Sequence, residues 1–234
     1  MASKLTAAEF LRGLKAKASA AERKKYQRYF PDDYKEFIGV RMGTVFTLAK
    51  EFIEMPVGEI EKLLASPIHE ARAGALSIMG KSAASKKAPA GRLKELYNLY
   101  MRRHDRINNW DLVDLAAYHV VGRYLEDKPR KPLYKLAKSK KWYERRTAIV
   151  ATAHFIRQGD VDDAFKISEL LVGDEHDLVH KGAGWMLRFA GDADRPRLLK
   201  FLNQHAASMP RVMLRYAIEK LDKKQRAKYL AMGR

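Results

Sequence analysis

Apolar residues recur at intervals of three and four over nearly the whole chain, which is the period of a helix with one buried face. Such stretches run over 41–54, 57–66, 69–80, 91–103, 107–126, 141–157, 161–171, 175–190 and 209–220. Two shorter helices are predicted ahead of them, each opened by a capping box. Thr6-Ala-Ala-Glu9 has Leu5 and Phe10 placed to staple across it, and Ser19-Ala-Ala-Glu22 opens the basic segment Arg23-Lys24-Lys25. Breaks fall at Pro31, Pro56, Pro67, Pro89, Pro129, Pro132, Gly159, Gly173, Gly191 and Pro210. No sustained period-2 alternation lies between hairpin turns, so an all-α fold is expected.

Self-similarity narrows the kind of helical fold. Arg72-Ala-Gly-Ala75-Leu-Ser-Ile, Arg145-Arg-Thr-Ala148-Ile-Val-Ala, Lys181-Gly-Ala-Gly184-Trp-Met-Leu and Leu214-Arg-Tyr-Ala217-Ile-Glu-Lys share a frame, and Trp110-Asp-Leu112-Val-Asp114 fits between the first two. The anchors 75, 112, 148, 184 and 217 are 37, 36, 36 and 33 residues apart. A small residue or Leu at the anchor lets neighbouring helices approach closely. A period in the mid-thirties with two helices per repeat predicts a curved solenoid of HEAT-like helical repeats, one domain over 1–234. An irregular helical bundle with chance spacing is the alternative.

Charge changes the picture next. Lys and Arg number 46 against 28 Asp and Glu, a formal excess of +18. Self-repulsion of that size points to a polyanion as partner, nucleic acid before a membrane surface, because the cations are spread along the chain rather than gathered on one amphipathic helix. Lining a concave solenoid face, Arg72, Arg145, Arg146, Lys181, Arg211 and Arg215 would form a row of phosphate contacts. The longest nearly unbroken apolar run, 147–156, is too short to span a bilayer. The N-terminus is charged from Lys4 and shows no secretory h-region, so a cytoplasmic location is expected. Absence of cysteine removes disulfides, thiolate metal sites and thiol nucleophiles.

Few residues remain for chemistry. Gly39-Val-Arg-Met-Gly43 lacks the ending of a phosphate loop, and no Ser sits in a nucleophile elbow. His176 and His180, four apart, have no third ligand partner, so neither a metal nor another cofactor is expected. The helix around Trp110 is more informative. Val113, Ala116, Ala117, Val120, Val121 and Tyr124 form its buried stripe. Asp114 lies roughly 80° from the middle of that stripe, Trp110 about 40° and Asp111 about 140°. Asp111 is thus expected in solvent or as a helix cap. Asp114 sits on the boundary, one turn from Trp110, so indole and carboxylate share a face. That carboxylate serves either function or an ion pair with Arg145 or Arg146.

Asn109-Trp110-Asp111-Leu112-Val113-Asp114, Glu144-Arg145-Arg146-Thr147-Ala148-Ile149 and Lys181-Gly-Ala-Gly184-Trp185-Met-Leu187-Arg188 together resemble the AlkD-type DNA alkylation repair glycosylases. The resemblance runs from about Tyr26 to Lys220. It implies a HEAT-like enzyme that hydrolyses the N-glycosidic bond of cationic N3- and N7-alkylpurines in double-stranded DNA, without flipping the base. It further implies Asp114 as catalytic carboxylate, with Trp110 and Trp185 flanking the lesion's sugar. Arg146 would hold the nearby backbone, with Arg145, Lys181, Arg188, Arg72 and Tyr29 as further DNA contacts. Tyr143 stands where many relatives carry Trp. The chain is expected to act as a monomer. A catalytically inactive scaffold for damaged or branched DNA, or an adaptor for an acidic protein, are the rival readings.

Overall fold

The computed structural model describes residues 5–26, 30 and 36–232, and among these there is no strand. The chain forms two compact units, Met1–Val120 and Val121–Arg234. The first holds α1 (Ala7–Lys15), α2 (Ala20–Tyr26), α3 (Met42–Glu51), α4 (Val57–Ala65), α5 (His69–Ala84), α6 (Arg92–Arg102) and α7 (Trp110–Ala116). From Ala117 to Gly122 the helix widens into a π-helical turn. The second holds α8 (Lys131–Ala137), α9 (Trp142–Ala151), α10 (Ala153–Arg157), α11 (Asp162–Leu170), α12 (Asp177–Ala193), α13 (Arg195–His205), α14 (Arg211–Ala217) and α15 (Lys223–Met232). Both capping boxes form at their N-caps: the Thr6 hydroxyl accepts from the Glu9 amide at 3.3 Å and the Ser19 hydroxyl from the Glu22 amide at 3.4 Å.

Every repeat anchor is buried. Ala75, Leu112 and Ala148 are 0% exposed and Ala217 1%, and these residues sit on α5, α7, α9 and α14. Anchor helices pack on one another within each unit: α5 on α7, and α12 on both α9 and α14. Partner helices flank them, α4 beside α5, α8 beside α9 and α11 beside α12. The role of small anchors is visible at Gly184, where a Cβ would lie 2.6 Å from Cβ of Tyr216 and overlap the Met213 carbonyl.

Four elements differ from the expected pattern. The periodicity marks 69–80 as amphipathic, yet α5 is buried on all sides from His69 to Gly80. Ala71, Ala73, Gly74, Ala75 and Gly80 are small enough for α3, α4 and α7 to close in from three directions. Secondly, α8 and α13 lie outside the amphipathic stretches read from the sequence, and α8 contains Pro132, where a break was expected. Pro132 and Pro196 stand in the first turn of each helix, where a missing N–H costs no hydrogen bond. Lastly, α15 buries Tyr229 alone, so it offers no apolar stripe to read. No helix among the described residues is long and apolar enough to cross a membrane.

Candidate active site

The first turn of α5 organises the first unit. Three of its side chains are polar, charged or ionisable, almost fully buried, and each grips a different segment. Glu70, 0% exposed, accepts hydrogen bonds from the backbone N–H groups of Ile38, Gly39 and Val40 at 3.1, 2.8 and 3.0 Å. Gly39 has φ +89°, and a Cβ there would strike the Ser19 carbonyl, so this loop is also pressed against the start of α2. Arg72, 2% exposed, donates to Asn108 Oδ1 at 2.9 Å and pairs with Glu36. His69, 0% exposed, meets Asp111 Oδ2 through Nε2 at 2.6 Å. Two of the three therefore hold the residues on either side of Asn109 and Trp110.

This placement corrects two expectations. Arg72 is no surface phosphate contact: small residues on α5 draw its neighbours so close that the guanidinium is enclosed and tied to the loop before α7. Asp111 is not in solvent either. Its side chain is 15% exposed, and Oδ1 is buried without a hydrogen-bond partner among the described residues. A carboxylate oxygen accepts, so His69 donates from Nε2, and its buried Nδ1 has no hydrogen-bond partner among the described residues.

Aromatic rings continue the platform. His69 stacks on Phe37 with centroids 4.2 Å apart, and Phe37 stacks on Tyr26 at 4.4 Å. Phe30 lies 5.4 Å from the His69 ring and runs parallel to Trp110 within 4°, at 6.0 Å. Tyr26 donates its hydroxyl to the Val40 carbonyl at 2.7 Å, and burial with the nearby Glu70 carboxylate pushes its pKa up to about 12. Trp110 is thus supported from below while 36% of it stays exposed. Weakening the support should loosen the ring. Asp111→Asn and His69→Ala are each expected to make Trp110 fluorescence more accessible to iodide quenching, because a buried hydrogen bond under the ring is lost. Unchanged quenching in both variants would remove the platform from the account.

Asp114 stands one turn beyond Trp110 on α7 and is half-buried. It lines a cleft of about 300 Å³ walled by Phe46 of α3, by Ser77, Gly80 and Lys81 of α5, and by His119. Gly80 makes the cleft narrow: a Cβ there would lie 2.9 Å from the Leu115 carbonyl, so α7 can lean directly on α5. Widened π-helical turns such as Ala117–Gly122 are frequent beside functional residues. Ser77, Lys81 and His119 escaped the sequence reading, because only the packing of α3, α5 and α7 brings them to Asp114.

In the second unit, Arg146 of α9 is 4% exposed and donates to the Leu178 carbonyl. Gly182 lets it in, since a Cβ there would stand 3.2 Å from Arg146 Nη1. Arg145 grips Asp174 with Nε and Nη2 at 2.5 and 2.9 Å, and its Nη1 donates to the Ser139 and Lys140 carbonyls. That geometry gives Arg145 a structural task in binding two loops together. Arg188 pairs with Glu219, while Trp185 and Lys181 are half-buried on α12. His176 Nδ1 accepts from the Leu178 amide, and its ring stacks on Trp142 at 4.4 Å. His180 Nε2 lies 2.5 Å from the Asp174 carbonyl. Tyr29 lies outside the described residues.

The Arg145–Asp174 pair has a measurable consequence. Burial raises the Asp174 pKa, but the Arg145 fork and the His176 amide outweigh it and hold it below the ordinary value of 3.8. A carboxyl that titrates lower when folded adds stability that is complete above its unfolded pKa and is lost as pH falls through its folded one. Between neutral pH and about 4, Asp174→Asn is expected to lower stability, with the difference from the parent chain shrinking below about pH 4. Urea denaturation at pH 7 and pH 3 reads this directly, and a constant difference would contradict it.

The model of the family described as DNA alkylation repair enzyme matches residues 10–221. The chain belongs to that family. Membership assigns it an enzyme's role in DNA alkylation repair, with DNA as partner. A solved structure described as a predicted DNA alkylation repair enzyme from Enterococcus faecalis shares the fold, with a TM-score of 0.68 at 14% identity, over 88% of this chain and 98% of that one. No curated protein matches the chain. For a DNA alkylation repair enzyme, the informative part of the first unit is the exposed indole of Trp110 beside the Asp114 cleft.

Proposed function

We propose that this chain is a monofunctional DNA glycosylase that releases cationic N3- and N7-alkylpurines from duplex DNA. The observation that carries the proposal is the pairing of Trp110 and Asp114 one turn apart on α7, the ring at the surface and the carboxylate in the adjoining cleft. A purine alkylated at N3 or N7 already carries positive charge. Its C1′–N bond can break with the electron pair leaving on the base, and no general acid has to protonate it. What must be stabilised is the cationic sugar, and what must be directed is one water, which adds to C1′ and gives up a proton. One carboxylate can serve both needs, so the usual glycosidase pair is unnecessary. An indole face beside the sugar contributes about 0.5–2 kcal/mol of cation–π stabilisation.

Trp110 projects at the surface rather than walling an enclosed base pocket, which supports a reaction with the lesion left in the duplex. Trp185 as a second ring, and Lys181 and Arg188 as backbone contacts, stay as the resemblance implies them, whereas Arg146, 4% exposed and bonded to the Leu178 carbonyl, is enclosed as Arg72 is and does not serve as a phosphate contact. The test is a duplex holding a single N7-methylguanine, scored for free base. Salt-sensitive binding without base release would replace the enzyme with a scaffold for damaged DNA. Absence of binding would favour an adaptor for an acidic protein.

A further inference from the structure

Lys81 presents an electrostatic problem. It is half-buried on α5 in the same cleft as Asp114, and its Nζ hangs 5.9 Å from the Phe46 ring centroid. Among the described residues it makes no ion pair. Desolvation first, and then the nearby Lys50, push its pKa below the ordinary lysine value. A partly desolvated ammonium facing a second cation is a costly arrangement unless an anion completes it. One turn earlier on the same face stands Ser77, 3% exposed, whose hydroxyl has no hydrogen-bond partner among the described residues. An unsatisfied donor and an unpaired cation thus share one wall of one cleft.

We propose that Lys81 and Ser77 form a binding site for a single phosphodiester group of the DNA backbone. The inference rests on the glycosylase reading and deepens it. A carboxylate that must approach C1′ also approaches the flanking phosphates, and like charges resist that approach. A cation on the opposite wall of the Asp114 cleft offsets the repulsion and fixes the strand at the point where the sugar has to meet the carboxylate. The α5 face repeats every turn, so Ser77 and Lys81 present hydroxyl and ammonium to the same side. Phosphate contacts of this kind set register and carry no sequence preference.

Binding to undamaged duplex over a range of salt concentrations tests the site without reference to activity. Lys81→Met keeps the aliphatic stem against Phe46 and removes the charge. It is expected to reduce the log–log salt slope by about 0.9, the value of one phosphate, while Lys81→Arg restores it. Ser77→Ala is expected to weaken binding about tenfold at fixed salt, the loss of a hydrogen bond to a charged group, and to leave the melting temperature unchanged because no protein partner is lost. A wild-type slope in Lys81→Met would overturn the phosphate site while leaving the glycosylase reading intact. A drop in melting temperature for Ser77→Ala, with binding unchanged, would make the hydroxyl structural. Wild-type chain that binds duplex without any salt dependence would sink both proposals together.

Discussion

Asp114→Asn is expected to lower release of N7-methylguanine from duplex DNA by roughly two to three orders of magnitude, the effect of removing a principal electrostatic stabiliser of a charged transition state. The substitution is nearly isosteric, so the fold should persist and the melting temperature should change little. DNA affinity should hold or rise slightly, because one negative charge facing the phosphates is gone. A residual rate equal to spontaneous depurination sets the floor. The choice of control follows from the structure. Asp111→Asn, three residues away, is unsuitable because Asp111 holds the buried His69. Asp105→Asn serves instead: its side chain is 55% exposed and its contact with Arg103 is long, at 3.5 Å. Equal losses in Asp114→Asn and Asp105→Asn, or unfolding of the former, would make the carboxylate structural.

The contrast between those two aspartates shows where sequence reading succeeds and where it stops. The period of a helix is local information, so α3 to α7, the capped starts of α1 and α2 and the anchors Ala75, Leu112, Ala148 and Ala217 are legible in the order of residues. The boundary position of Asp114 is legible too, because it depends on one helix's own stripe. Asp111 is not, since its surroundings come from a different helix: the wheel of α7 cannot know that α5 presents His69 to that side. Arg72 fails for the same reason. Its position before a repeat anchor is compatible with either a solvated cation or an enclosed one, and the glycines and alanines of α5 decide between them collectively. Lys81 and Ser77 have no sequence signal, because a lysine and a serine four apart are ordinary on any helix. Their meaning comes from Gly80 bringing α7 against that face.

The largest structural effect is expected at Glu70. Its carboxylate is the acceptor for three consecutive backbone N–H groups of the loop 38–40 that crosses the start of α2, and these have no other partner among the described residues. Glu70→Ala strands all three in a buried setting. At about 1–3 kcal/mol for each unsatisfied group, partly relieved by water entering the space, the loss should be about 4 kcal/mol. For a chain of this size that is a fall of roughly 8–16 °C in melting temperature. Glu70→Gln separates geometry from charge. The amide oxygen can take the place of Oε1, which receives all three N–H groups, while the amide nitrogen replaces Oε2, which also receives the Ile38 N–H at 3.1 Å. The Gly39 and Val40 contacts persist at about half the strength of the charge-assisted ones, and the loss should be about 2 kcal/mol. The effect also travels to the site. The loop carries Phe37, whose ring stacks on His69, and His69 holds Asp111 beside Trp110. Base release by Glu70→Ala should therefore fall even at temperatures where the chain stays folded, and Glu70→Gln should recover most of it. A melting temperature within 2 °C of the parent for Glu70→Ala, or activity lost equally in both variants, would show that the loop is held by its aromatic packing and that the carboxylate contributes little.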